Sequence, residues 1–357
     1  MLVRVLTATT ALVGSLVVGG VAQAGEPEGV IAGVPTNPTV VTTGLTVPWA
    51  VSWLPDGQSA LVTQRDDFHV WLVTRAGEKT DVGVVPESQG TGGEGGLMGV
   101  AVSPDWESDH HVYFMHTSSD GNRVARMTFD GAGLSDYTVL VSGIQKNRYH
   151  NGGRLAFGPD GYLYATAGDA QHTELSQNPD SLNGKILRFT TAGEPAPGNP
   201  FGTLVYSLGH RNPQGLAWDS AGRLWSAELG QNTYDELNLI EPGKNYGWPV
   251  CEGVCGDPAY TDPKATWTTA EASPSGVAIV GDTAFMAALR GQRLWRIELT
   301  GTEAGEITPH FTGTYGRLRA VTKVPGEDTL WLTTSNADAN GGQPDGADRI
   351  LTSTITG

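Results

Sequence analysis

Hydrophobic positions along this chain fall in short runs bounded by turn-forming residues. Residues 60–63 and 163–166 are examples, and no long stretch has the three-to-four-residue spacing of an amphipathic helix. The 49 glycines and 21 prolines follow no collagen-like period and therefore indicate many tight turns. The pattern predicts an all-β protein built of many short strands.

One turn signature recurs six times, each time between two strand-like runs. Its copies are Pro55-Asp56-Gly57, Pro104-Asp105-Trp106, Pro159-Asp160-Gly161, Asp219-Ser220-Ala221-Gly222, Gly281-Asp282 and Pro325-Gly326-Glu327-Asp328. They lie roughly 45 to 62 residues apart, which is the spacing of propeller blades with variable loops. Small sheets of this kind bury both faces against one another in a closed ring. We therefore predict a six-bladed β-propeller over residues 40–357, with its longer loops gathered on one face around the channel.

The first 24 residues have the pattern of a secretory signal peptide. Arg4 precedes a short apolar segment that ends in Ala22-Gln23-Ala24, a small-residue cleavage pattern. A membrane anchor is the alternative, but the apolar run is short and interrupted by glycine. Residues 25–39 are expected to form a flexible lead-in. The mature protein is thus predicted to be secreted, extracellular or periplasmic, with no membrane span.

The chain is acidic, with 22 basic and 38 acidic residues and a formal net charge of −16. This balance argues against a nucleic-acid partner and otherwise favours solubility. Any cluster of arginines in such a background needs a specific reason. Cys251 and Cys255 are the only cysteines, and in a secreted protein they are expected to form a local disulfide rather than a two-thiol metal site.

Two histidines are candidates for a general base. His150 lies directly before a predicted strand, near the expected channel, and the pKa of histidine is suited to proton transfer near neutral pH. His210 competes with it, and composition does not choose between them.

Several planar or cationic donors indicate an anionic ligand. Arg211, Asn212 and Gln214 lie within four positions and could contact a carboxylate or a ring with several carbonyls. Arg317 and Arg319 alternate along one strand and so share a face, which is unfavourable without an anion nearby. With Arg211 and Arg290 they predict a poly-anionic ligand, although loop residues of this kind can also serve only to satisfy buried backbone.

An oxygen-rich stretch follows this group. It contains Gly230, Gln231, Asp235, Glu236, Tyr246 and Asp257. Oxygen ligands, including backbone carbonyls, are those that calcium selects, but an acidic solvent-facing turn explains the stretch equally well. Residues 338–348 lack the full EF-hand pattern and are expected to form a surface loop. The GxGxxG match at residues 90–95 precedes a strand rather than a helix, so NAD binding is rejected.

Together, several motifs resemble the soluble sugar dehydrogenases that depend on pyrroloquinoline quinone (PQQ), the glucose/sorbosone dehydrogenases. The resemblance runs from about residue 48 to the C-terminus and is strongest in EGGLMGVAVSPDW, YHNGGRLAFGPDGYLY, NGKILRFTTAGEPAPGNPF, GHRNPQGLA and DELNLIEPGKNYGWP. It implies a six-bladed propeller, in agreement with the repeat count. It also implies oxidation of the anomeric hydroxyl of aldose sugars to lactones, with electrons passing to a diffusible or membrane acceptor.

The resemblance assigns roles to individual residues. His150 matches the catalytic base, Asp169 an acidic residue beside it, and Arg211 the arginine that stabilises the reduced quinone oxygen. Further residues match PQQ contacts: Glu94, Asn212, Gln214, Arg290, Arg317 and Arg319. Gly230 and Gln231 match backbone ligands of a cofactor-bound calcium, and Glu236, Tyr246 and Asp257 a structural calcium site.

Three departures from the family pattern affect these expectations. Glu94 replaces a glutamine near the substrate, and Arg290 replaces a cofactor-binding lysine, which keeps the charge but changes its geometry. Leu229 and Gln231 replace a glutamine and a proline in the calcium loop, which matters little for backbone ligands. A long insertion is also missing between about residues 257 and 274, which implies a broader aldose preference and a monomer or weak homodimer.

Two other functions remain open from the sequence. A calcium-dependent propeller lactonase would use an acidic metal cluster and no quinone. A non-catalytic propeller that binds a sugar or a protein is a second alternative. Neither needs an anion-binding group of arginines.

Overall fold

The computed structural model describes residues 33–357, and the predicted signal peptide and residues 25–32 of the lead-in lie outside this range. In chain order the strands are β1 (Val34–Pro35), β2 (Thr39–Leu45), β3 (Pro48–Trp53), β4 (Ser59–Gln64), β5 (His69–Thr74), β6 (Lys79–Val84), β7 (Leu97–Val102), β8 (His111–Thr117), β9 (Asn122–Phe129), β10 (Leu134–Ile144), β11 (Leu155–Phe157), β12 (Leu163–Ala167), β13 (Lys185–Phe189), β14 (Val205–Leu208), β15 (Pro213–Trp218), β16 (Leu224–Glu228), β17 (Tyr234–Ile240), β18 (Ala265–Thr268), β19 (Pro274–Val280), β20 (Thr283–Ala288), β21 (Arg293–Thr300), β22 (Glu303–His310), β23 (Leu318–Lys323), β24 (Thr329–Thr334) and β25 (Asp348–Thr356). One short helix, α1 (Trp106–Asp109), and one 3-10 turn, Thr173–Gln177, accompany them.

Six antiparallel sheets form the blades, which confirms the predicted six-bladed β-propeller. Five blades are four-stranded and follow the chain without crossovers, from β3–β6 to β19–β22. In the sixth blade, β25 pairs with β24 and with both N-terminal strands. Thr39 lies opposite Thr352 and Leu45 opposite Asp348 in this pairing. The two ends of the described chain thus close the ring within one sheet.

The lead-in is more ordered than expected. Val34 and Pro35 pair with the end of β25 opposite Thr356 and Ile355, and β2 already begins at Thr39. These residues add a strand to the closing blade because β25 would otherwise be an unpaired edge.

Each copy of the turn signature lies between the first and second strand of a blade. In the second blade its tryptophan begins α1 instead of a tight turn. The first strands are buried on both faces; β7 is an example, because neighbouring blades pack against each side. This explains the continuous apolar run of β7, LMGVAV. The largest apolar cluster joins residues of the first three blades, including Trp49, Met98 and Leu155.

The first strand of every blade also lines the central channel, and all six run through it in the same direction. In β23, Arg319 near the start lines one cavity, whereas Val321 and Thr322 line another. In β15, Gln214 lines the first of these cavities and Leu216 lines the second. The two cavities therefore lie at opposite ends of the channel. No helix among residues 33–357 is long and apolar enough to cross a membrane.

Candidate active site

Loops from several blades meet where the first strands begin, as the sequence predicted. The backbone N–H of Glu94 donates to the carbonyl of Arg148 at 2.8 Å. His150 reaches Asp169 of the next long loop, and Trp248 reaches the same carboxylate from a third loop. The arrangement places a histidine and two carboxylates beside the channel.

The imidazole of His150 lies between a carboxylate and a guanidinium. Its Nδ1 lies 2.8 Å from Oδ1 of Asp169, and its Nε2 lies 2.7 Å from Nη2 of Arg211. Because a guanidinium can only donate, Nε2 must be the accepting nitrogen and Nδ1 must carry the proton. The carboxylate of Asp169 is itself fixed by Trp248 Nε1 at 2.8 Å and by the N–H of Gln171 at 2.7 Å. The nitrogen facing Arg211 therefore carries the free electron pair that a general base requires.

The backbone around His150 is unusual. His150 has a φ of 60°, a left-handed conformation that is uncommon for residues other than glycine and costs free energy. Its N–H donates to Oε2 of Glu94 at 2.9 Å. A Cβ at Gly168 would lie 2.1 Å from the His150 carbonyl, and one at Gly93 would lie 2.2 Å from the Arg148 carbonyl. The absence of side chains at these glycines lets the loops carrying Asp169 and Glu94 approach His150 closely.

Arg211 connects His150 with the loop that was predicted to bind calcium. Its Nη1 donates to the carbonyl of Leu229 at 3.0 Å, and its Nε donates to Oε1 of Gln231 at 2.9 Å. Burial lowers the pKa of Arg211, although Asp169 and Glu94 oppose the shift, and the guanidinium remains charged at neutral pH. Its backbone N–H donates to Glu228, which fixes the segment that carries it.

Three of the four predicted arginines, Arg290, Arg317 and Arg319, line one cavity of about 430 Å³, which we call the site cavity. Arg211 and His150 lie outside its lining. Its lining includes five arginines and two carboxylates: Arg65, Arg148, Arg290, Arg317, Arg319, Glu94 and Asp338. This positive surface contrasts with the acidic chain as a whole. Gln214 also lines the cavity. Asn212 is buried instead, where its Nδ2 donates to Glu94 and its Oδ1 accepts the N–H of Gly152.

Asp338 corrects the prediction that residues 338–348 form only a surface loop. Its side chain is 3% exposed and lies 3.0 Å from Arg317 Nη2 and 3.5 Å from Arg319 Nη2. Burial favours the neutral carboxyl, but Arg319 and Arg317 outweigh it and lower the pKa of Asp338. Asp348 at the other end is also buried, and it accepts backbone N–H groups of Val47 and Asn336. Only the middle of this loop is exposed.

Part of the arginine charge is thus neutralised within the protein. Arg65 pairs with Asp66 at 2.6 Å, and burial lowers the pKa of Arg319 to about 10, an effect that Arg65 increases. Within the described chain, Arg148 and Arg290 form no ion pair. These two guanidinium groups carry the excess positive charge of the site cavity.

The Gly230–Gln231 segment is held by the loop that the disulfide closes. Cys251 and Cys255 are bonded, as predicted. Between them, Glu252 places Oε1 at 2.6 to 3.1 Å from four consecutive backbone N–H groups: Gln231, Asn232, Thr233 and Tyr234. These bonds orient the N–H groups toward Glu252 and fix the conformation of the segment.

The residues expected at a structural calcium site are only partly brought together. Glu236 and Tyr246 line one small cavity with Glu228 and Glu252, whereas Asp257 is exposed and accepts the N–H of Ala259. Burial raises the pKa of Glu236, and the nearby charge of Glu228 adds to this. Across residues 33–357, no group of three or more His, Cys, Asp or Glu side chains is arranged to hold a metal ion.

Sequence reasoning missed four residues that shape this site: Trp248, Glu228, Glu252 and Asp338. Glu228 had a recognisable signal, since it ends the otherwise apolar strand β16, where a buried acid requires partners. Asp338 had none, because a stretch rich in Asp, Asn and Gly is also typical of surface turns.

Residues 45–342 match the family model Glucose / Sorbosone dehydrogenase. A Synechocystis protein of unassigned function, slr1608, is 33% identical over 90% of this chain and 87% of its own length. Quinoprotein glucose dehydrogenase B of Acinetobacter calcoaceticus is 32% identical over 62% of this chain, and the match spans about half, 54%, of that protein.

Among solved structures, the fold is similar to the PQQ-bound form of an aldose sugar dehydrogenase from Streptomyces coelicolor. The two chains are 50% identical, and the match covers 90% of this chain and 98% of that one with a TM-score of 0.87.

Proposed function

Because this chain belongs to the glucose/sorbosone dehydrogenase family, we propose that it is a PQQ- and calcium-dependent dehydrogenase that oxidises the anomeric hydroxyl of aldose sugars to lactones. The observation that carries the proposal is His150. Its Nδ1 is bound to Asp169 and its Nε2 is unprotonated, beside a cavity rich in arginine.

The residues around His150 account for the proton transfer. The anomeric hydroxyl would donate its proton to Nε2, and Asp169 would stabilise the imidazolium that forms. The hydroxyl can reach Nε2 only after the guanidinium of Arg211 moves away, since Arg211 is bound to that nitrogen in this structure. The side chain of His150 is 12% exposed, which allows this access.

The site cavity fits an anionic planar cofactor. When bound, PQQ supplies the oxidant that takes up the two electrons of the sugar. Arg148 and Arg290 are exposed and lack a carboxylate partner within the described chain, so both can form charge-assisted hydrogen bonds with a ligand that has several carboxylates. Gln214, Arg317 and Arg319 would hold its remaining polar groups. Arg317 and Arg319 contribute less than their charge suggests, because Asp338 already pairs with both.

Calcium is supported by the chemistry of the donors. Backbone carbonyls of Gly230 and Gln231 lie in a segment fixed by Glu252, and hard oxygen donors suit calcium. Glu236 and Glu228 face one another in a small cavity, where a cation would relieve the repulsion that raises the pKa of Glu236. Asp257 would have to move to join them.

Secretion, transfer of electrons to an external acceptor, and a monomeric or weakly dimeric state complete the proposal. The lactonase alternative requires an acidic metal cluster, and a non-catalytic propeller requires no proton acceptor. The arginines of the site cavity favour the dehydrogenase over both, because neither alternative needs an anion-binding group.

The test is a cofactor titration of the full chain after chelation. We expect PQQ with calcium to change the absorbance of the cofactor and to restore dye reduction with a panel of aldoses. Arg290→Ala should weaken PQQ binding, whereas Arg126→Ala on β9, outside the site cavity, should leave it unchanged. A chain that binds no PQQ, or that binds it without oxidising any sugar of the panel, contradicts the proposed function.

A further inference from the structure

The second cavity of the channel has a volume of about 410 Å³, and we call it the far cavity. All six first strands contribute to it through their later residues. Three of its apolar side chains, Phe157, Trp218 and Ile279, are only partly buried, but polar groups form the larger part of the exposed cavity surface. Because each first strand is an edge of its blade, its free backbone groups also face the channel.

One cation lies in this apolar lining. Arg154 donates from Nε to the carbonyl of Gln214 at 2.7 Å, and its guanidinium lies 4.3 Å from the ring centroid of Trp49. Its Nη2 is buried and has no hydrogen-bond partner in the described part of the chain. A buried donor without a partner costs free energy that a ligand could recover.

Arg154 also lacks a counter-ion. Among residues 33–357 no carboxylate pairs with it, and the nearest charge that affects it is the like charge of Arg319. Burial, with repulsion from Arg319, lowers the pKa of Arg154 to about 9. Arg317 and Arg319 differ in this respect, because they share Asp338. A buried cation without an anion is strongly unfavourable.

We propose that the far cavity is a second ligand site, which binds a small monocarboxylate with an apolar body. The carboxylate would accept a charge-assisted hydrogen bond from Nη2 of Arg154 once the guanidinium turns toward the cavity that it lines, and the apolar body would lie along Phe157, Trp218 and Ile279. One uncompensated cation matches one negative charge, which favours a monoanion. The partly buried rings of Phe157 and Trp218 offer an apolar body a surface to pack against.

This site is independent of the proposed dehydrogenase function. The two cavities have no lining residue in common, although Arg319 acts on Arg154 across Trp49. Because the probe is also titrated in the absence of PQQ, the two proposals can fail separately.

The test uses 4-fluorobenzoate as the probe and fluorine NMR of the full chain as the readout, with and without PQQ and calcium. We expect the probe to bind, and its neutral analogue 4-fluorobenzamide to bind at least about ten-fold more weakly, because only the anion gains the charge-assisted bond. Arg154→Gln should weaken the benzoate by a similar factor. Arg290→Gln, the matched change in the site cavity, should leave it unchanged.

A second variant, which keeps the guanidinium of Arg154, controls for a folding defect in Arg154→Gln. Ala156→Phe fills the far cavity beside Arg154 and should abolish binding while the far-ultraviolet circular dichroism stays that of the parent. Three results would overturn the proposal. The first is benzoate binding that survives Ala156→Phe, and the second is binding that is weakened by Arg290→Gln rather than by Arg154→Gln. The third is an equal affinity for 4-fluorobenzamide. The absence of binding up to about 10 mM would overturn it as well.

Discussion

Two histidines in this protein have the same carboxylate contact but different surroundings. In His150 the Nδ1 lies 2.8 Å from Asp169, and in His210 the Nδ1 lies 2.8 Å from Glu228. The side chain of His150 is 12% exposed, whereas that of His210 is 0% exposed. The Nε2 of His150 faces the guanidinium of Arg211, whereas that of His210 lies 2.8 Å from Oγ of Ser207, in a fully buried site.

This difference separates a reactive histidine from a structural one. A histidine and carboxylate pair defines which nitrogen carries the proton, but only access to the other nitrogen allows proton transfer with a substrate. His210 also stacks on Tyr246, with 4.8 Å between the ring centroids. All of these contacts of His210 are therefore with the protein interior. Composition alone did not rank the two histidines; their burial supports His150, the one that the family resemblance assigns as the base.

The largest expected effect comes from replacing each imidazole by an amide. His150→Gln should retain PQQ binding but lose turnover by about two to four orders of magnitude, since the general base is removed. His210→Gln should retain most turnover and instead lower the free energy of unfolding. Steady-state dye reduction, absorbance titration of PQQ and urea denaturation of both variants provide the measurements. Equal turnover losses in the two variants would show that the ranking is wrong.

Replacing Asp169 or Glu228 by its amide is a second way to distinguish the reactive pair from the structural pair. All three groups that contact Asp169 are donors, from His150, Gln171 and Trp248. The amide nitrogen of Asp169→Asn must therefore face a donor. The weaker hold on the imidazole should reduce turnover roughly ten- to hundred-fold.

Glu228→Gln is the matched change at the buried pair. Glu228 accepts the Nδ1–H of His210 and the backbone N–H groups of Arg211 and Asn212. An unsatisfied donor there should cost about 1–3 kcal/mol of the free energy of unfolding. Comparison of turnover with urea denaturation tests both variants, and a turnover loss in Glu228→Gln as large as that in Asp169→Asn would contradict the distinction.

A third histidine, His116, is fully buried but has no carboxylate bonded to its ring. Nε2 of His116 lies 2.9 Å from the hydroxyl of Tyr137, and burial lowers the pKa of His116 to about 4 from 6.5. Below pH 6.5 the unfolded chain therefore takes up a proton that the folded protein excludes, and stability is lost as the pH falls toward 4. This histidine should cost about 2 kcal/mol of stability between pH 7 and pH 5.

The measurement is the difference in unfolding free energy between the parent and His116→Gln at the two pH values. The parent's advantage should shrink at pH 5, because the glutamine does not titrate. A difference that is independent of pH would show that His116 has the same pKa in the folded and the unfolded chain.

The fold could be predicted from the sequence because the turn and strand patterns that define a blade are local. Six similar turns define six blades, and the spacing of the copies predicts the ring without any knowledge of contacts. Its closure was not predicted in detail, because Thr39 pairs with Thr352, more than three hundred positions away. No local pattern indicates which distant strand completes a sheet.

The site was predictable only where motif and loop position agree. His150, Arg211, Arg317 and Arg319 lie in polar stretches next to strands, and their chemistry is visible in the residue types. The partners that determine what they do are not: Asp338 neutralises two of these arginines from a stretch that resembles a surface turn. Such pairing is a property of the assembled channel, so a count of arginines overstates its positive charge.

The smallest expected effect concerns the hydroxyl that distinguishes the two histidines. Ser207→Ala removes the hydrogen bond to Nε2 of His210 but leaves the contact with Glu228 in place. The expected loss is about 1 kcal/mol of the free energy of unfolding, the usual net value of one hydrogen bond. Turnover should stay at the parent level, because nothing at His150 changes. If urea denaturation shows no loss while turnover falls, then His210 acts in the reaction, and exposure is the wrong criterion for choosing between the two pairs.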